Sequence, residues 1–69
     1  MSLTIKSFQT KELYVGCYFD KCVPHYHVIE GFFHNGIVVK TFHGTHASKE
    51  NALSSYYRRV RNIKRSYER

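Results

Sequence analysis

Residues 52–69 read ALSSYYRRVRNIKRSYER. Ala52, Leu53, Tyr56, Tyr57, Val60, Ile63 and Tyr67 recur there at steps of three and four. That is the repeat of one face of an α-helix, on which side chains three and four apart lie above one another. Just upstream, Ser48 stands where an N-cap belongs. Glu50 falls in the first turn, where the helix dipole favours an anion. The spacing predicts an amphipathic helix of about five turns. It is expected to bury Leu53, Tyr56, Val60 and Ile63 and to carry arginine and lysine on its remaining faces.

What the helix packs against must lie upstream. HYHVIEGFF and IVVKTF flank His34-Asn35-Gly36. Asn-Gly between β-branched and aromatic runs is a strong hairpin signal, because both residues accept the positive φ of a type I′ turn. A two-residue turn fixes the register: Phe33 opposite Val38, Gly31 opposite Lys40, Ile29 opposite Phe42. Both faces of this hairpin are mixed, so the pattern does not choose the core side. Earlier, ELYVGCYFD places Leu13, Val15, Cys17 and Phe19 on one face at period two. Pro24 then breaks the ladder. LTIKSF alternates more briefly and reads as a short edge strand or an ordered arm. Residues 43–47, HGTHA, read as a loop before the helix. The expected fold is α+β: an antiparallel meander of three strands, or four if the first segment pairs, packed against one long C-terminal α-helix.

At 69 residues the chain has room for one small domain. The hydrophobic fraction is 42% and there are six Tyr and five Phe, too much for a disordered chain. Apolar runs are too short for a transmembrane span or a signal peptide, so a cytoplasmic protein with reduced cysteines is expected. A domain of this size offers little volume for a substrate pocket, and no paired-carboxylate motif is present. Cys17 or Cys22 beside a histidine lacks an orienting third group, and His25 or His27 as a base lacks partners. A non-enzymatic protein with no catalytic residues is therefore expected.

The charge narrows the class further. Of the net +6, residues 49–69 supply seven cations against two acids, +5. Residues 1–48 supply four against three, +1. A positive field confined to one segment points to an acidic partner, nucleic acid being the commonest. Arginine dominates it, and arginine makes bidentate contacts to phosphate and carboxylate. The candidate binding residues are Arg58, Arg59, Arg61, Lys64 and Arg65, with Lys40 on the sheet. Aromatics on an uncovered sheet face would add stacking on unpaired bases, although strand aromatics more commonly pack across strands.

CYFDKCVPHYH, residues 17–27, holds Cys17, Cys22, His25 and His27, a donor set that suits zinc. The spacing is not that of separated ligand pairs, and Cys17 falls on the apolar face of its strand. No cofactor is expected.

Phe42 followed by Ser48-x-Glu50-x-Ala52-x-x-x-Tyr56 resembles the last strand and helix start of two DNA-binding families. These are the plant ethylene-response-factor domains and the arm-binding domains of some integrases, and the similarity covers residues 12–65. It implies a three-stranded sheet with one helix and a DNA partner. Those domains read the major groove with arginine-rich strands, whereas the strands here contain no arginine. The same plan is similar to small phage-encoded inhibitors such as anti-CRISPR proteins, which implies the blocking of a host protein. The expected function is a small basic binding protein of phage or mobile-element origin that engages nucleic acid or a nucleoprotein complex. The alternative is an inhibitor that binds an acidic host protein surface. A homodimer is expected if an apolar patch is left exposed.

Overall fold

A computed structural model describes residues 2–67. Four strands, β1 (Ser2–Gln9), β2 (Leu13–Asp20), β3 (His25–His34) and β4 (Ile37–His46), precede one helix, α1 (Lys49–Tyr67). The strands form a single antiparallel sheet in the order β1-β2-β3-β4. The α+β meander with a C-terminal helix is therefore observed, and the first segment is its fourth strand rather than a loose arm. The side chain of Tyr67 and the charges of Glu68 and Arg69 fall outside the described residues.

The turns follow from local chemistry. Asn35 and Gly36 take φ of 52° and 78°, the double positive φ that the β3–β4 turn needs. Between β1 and β2, the Thr10 Oγ1 accepts from the amides of Glu12 and Leu13 at 3.2 and 3.0 Å. The Asn51 amide donates to Ser48 Oγ at 3.2 Å, so Ser48 caps α1 as expected.

The hairpin register matches expectation from the turn as far as Gly31–Lys40 and then shifts by one. An extra residue, Thr41, bulges from β4, so Glu30 faces Phe42 and Ile29 faces His43 instead of Phe42. A second bulge at Ile5 shifts β1 against β2. The two bulges have one result. Side chains alternate between faces along a strand, so each insertion moves everything beyond it to the other side. Phe8 and Phe42 thereby join the face that carries Val15 and Cys17. A row Phe8–Val15–Glu30–Phe42 then crosses all four strands. β4 also continues to His46, so residues 43–46, expected as loop, are strand that pairs with the start of β3.

The helix lies over β2, β3 and β4. Val15, Cys17, Val28, Ala52, Tyr56, Val60 and Ile63 form the buried core, with Ile5, Phe8, Leu13, Tyr26, Phe42 and Leu53 packed around it. The extents, 37 × 26 × 16 Å, leave the thin direction room for one sheet and one helix. Among the described residues, no second layer lies over the other face of the sheet, which carries Tyr14, Tyr18, His27, Phe33 and His43.

Candidate nucleic-acid interface

The basic residues of α1 divide by their angle around the helix. With the buried stripe centred on Tyr56 and Ile63, a step of about 100° per residue sends Arg58, Arg61 and Arg65 to the opposite side. All three are exposed. They stand at i, i+3 and i+7 along about 10 Å of helix. Among the described residues, no salt bridge engages any of them. Glu50, the acid of α1 within those residues, lies two turns away in its first turn.

Arg59 departs from the expected outward set. Its Nη1 donates to Glu30 Oε1 at 3.0 Å, and its guanidinium lies 3.2 Å from the centre of the Phe42 ring. The bulge at Thr41 creates this site by bringing Phe42 beside Glu30. Arg59 is thus a strut between helix and sheet. Lys64 stays exposed on the other flank, its Nζ 5.6 Å from the Phe8 ring centre. The cations of Arg59 and Lys64 therefore sit over the two ends of the row beneath the helix.

Lys40 is exposed but pairs with Gly31, which pairs in turn with Tyr14 on the uncovered face. It does not share a surface with the helix arginines. The cation that does come near them from the sheet is Lys6, whose Nζ lies 5.7 Å from the Tyr57 ring centre. Sequence reasoning missed Lys6, because only the bulge at Ile5 places it on the helix side. A shallow groove of about 290 Å³ opens there, lined by Tyr57, Val60, Arg61 and Lys64.

The cysteine–histidine run does not converge. Cys17 pairs with Val28 under the helix, whereas His27 is on the opposite side of the sheet. Cys22 and His25 are exposed in the β2–β3 connection and at the start of β3. Among the described residues, no three His, Cys, Asp or Glu side chains are grouped to hold a metal. Both thiols are free. Burial pushes the Cys17 thiol up, and the charge of Lys49 opposes this in part.

On the uncovered face His27 Nδ1 and His43 Nε2 are 3.0 Å apart. Tyr18 stacks on His27, with ring centres 4.9 Å apart and planes 11° from parallel. His27 Nε2 is buried without a partner. A bare lone pair there costs less than an unsatisfied N–H, which favours the proton on Nδ1 and a bond donated to His43. A proton on His43 Nε2 would then face a donor. Desolvation, His27 and Lys40 together hold His43 below the usual histidine range. The tyrosine hydroxyls of Tyr18 and Tyr56 are pushed up, chiefly by burial.

No helix among the described residues is long and apolar enough to cross a membrane, which says nothing of a β-barrel. Comparison with protein-family models, with curated proteins and with solved structures gives no match.

Proposed function

We propose that this chain is a small non-enzymatic binding protein that engages nucleic acid, alone or within a nucleoprotein complex, through the outer side of α1. The observation that carries the reading is the line Arg58–Arg61–Arg65, exposed and without an acidic partner among the described residues. Along one strand of B-form duplex, phosphates repeat about every 3.4 Å of axis, so a 10 Å line of guanidinium groups addresses about three of them. Lys64 adds a fourth cation on the flank. Arg59 is left out of the contact set because Glu30 and Phe42 hold it.

The test is affinity for nucleic acid as a function of salt. About four phosphate contacts give a log-log slope near −3.6 on duplex and about −2.8 on a single strand. A flat salt dependence, or no binding, would overturn the proposal.

One observation favours a second reading, inhibition of a host protein through an acidic surface. Phe32, Ile37 and Val39 are exposed large apolar residues, and alternation puts all three on the helix side at the hairpin end. Exposed apolar side chains on the same side of the molecule as the arginines suit a protein partner. Charge reversal at Arg58 and Arg61 separates the readings. In the second, Arg58→Glu with Arg61→Glu abolishes a complex that survives nuclease treatment; in the first, nuclease alone releases it.

A further inference from the structure

We propose that the groove beside the arginine line receives an unpaired nucleobase, so that the nucleic acid engaged is single-stranded. This rests on the reading of α1 as a nucleic-acid surface and narrows it to a substrate class.

Tyr57 is 44% exposed, on a helix whose other described apolar side chains are largely covered. Its ring has two neighbours. Tyr56 meets it edge-on, with centres 5.2 Å apart and planes at 71°, and the Lys6 ammonium stands 5.7 Å from its centre. Val60 contributes an apolar lining to the groove, and Arg61 and Lys64 contribute cations. The groove therefore combines one exposed aromatic ring, an apolar patch and two cations, with a third cation, Lys6, beside the ring. A ligand that uses all of it has a flat π-system within a few ångströms of an anionic group, which is the chemistry of a nucleotide. An acidic peptide would use the cations and leave the ring idle. A duplex would present phosphates to the arginines but keep its bases stacked out of reach of Tyr57.

Position supports the same ligand. Arg61 belongs both to the groove and to the outward line Arg58–Arg61–Arg65. A backbone that tracks the line passes the mouth of the groove, and a base rotated out of it can meet the Tyr57 ring. The uncovered sheet face carries more rings, but Tyr14, Tyr18 and Phe33 are only partly exposed and His27, on which Tyr18 stacks, is buried. Lys40 is the one lysine or arginine that pairing places among them.

The experiment compares a short labelled oligo-dT strand with a duplex of equal length, at fixed salt, on the full chain and three sets of variants. The strand is expected to bind at least about tenfold more tightly than the duplex. Tyr57→Ala is expected to weaken strand binding about fivefold to a hundredfold and to leave duplex binding within about twofold. Tyr57→Phe keeps the ring and is expected to retain strand affinity, which separates stacking from a folding defect. Equal affinity for strand and duplex, with Tyr57→Ala silent, overturns this inference and leaves the arginine reading standing. Loss of strand binding in Tyr14→Ala and Tyr18→Ala but not in Tyr57→Ala also overturns it, by moving the bases to the other face. Failure to bind either nucleic acid overturns both readings.

Discussion

Arg58 and Arg59 are neighbours in sequence and about 100° apart around the helix, and that angle gives them different work. Arg58 points to solvent. Arg59 bonds Glu30 and stacks on Phe42 while both partners stay partly exposed. A partly exposed ion pair contributes about 0.2–1 kcal/mol and an exposed cation–π contact about 0.5–1 kcal/mol. Arg59→Ala is therefore expected to lower the unfolding free energy by about 1–2 kcal/mol in urea titration, and Arg58→Ala by less than about 0.5 kcal/mol. Salt-dependent binding should reverse the order, with Arg58→Ala losing more affinity than Arg59→Ala. His43 supplies a second test at this scale. Its folded pKa lies below the ordinary 6.5, so the unfolded chain takes up the proton first as pH falls. Its contribution to stability is complete above pH 6.5 and is lost as pH descends towards the folded pKa. The groups facing it are His27 on β3, with Tyr18 of β2 stacked beyond, and Lys40 on its own strand. Thermal denaturation of the chain should show a fall in Tm from pH 7 to pH 5 that is shallower in His43→Gln.

The elements differ in how legible they were. The helix was written twice, in the three–four spacing of its apolar residues and in the Ser48 cap, and both local signals agree with the packing. The turn at Asn35-Gly36 was equally plain, because few residues accept two successive positive φ values. The bulges had no comparable signal. Nothing near Thr41 or Ile5 demands an extra residue locally; the demand comes from across the sheet, where Phe42 and Phe8 gain a place under the helix by changing sides. Sequence alternation alone therefore put Phe42 with Ile29, counted Arg59 among the outward cations, and overlooked Lys6. The arginines 58, 61 and 65 were found correctly as exposed groups because helix geometry alone decides their direction. Gly31 lies on β3 where the register shifts, opposite Lys40. A Cβ there would run into the backbone carbonyl of Val39 and lie 2.9 Å from the Val38 side chain. Gly31→Ala is expected to cost about 1–3 kcal/mol in denaturant titration, as overpacking does, although alanine is ordinarily easier than glycine to hold in a strand.

As a whole the molecule is a two-layer object with chemistry on both outer sides. The arginine line and its groove occupy the helix side; the histidine pair and Lys40 occupy the other, separated from them by the sheet and core. Among the described residues, α1 is the layer that covers Val15, Cys17 and Val28. Lifting that one cylinder wets the centre of the protein at once. Amide hydrogen exchange in the middle of β2 and β3 should thus report on how firmly α1 is latched. A ligand held by the outer arginines would slow that exchange without touching either strand. At a free concentration a hundredfold above Kd, binding to the latched form alone adds about 2.7 kcal/mol, so protection there should rise about a hundredfold. If the proposed reading holds, the surface that grips an anion would in this way also serve as the clasp of the fold.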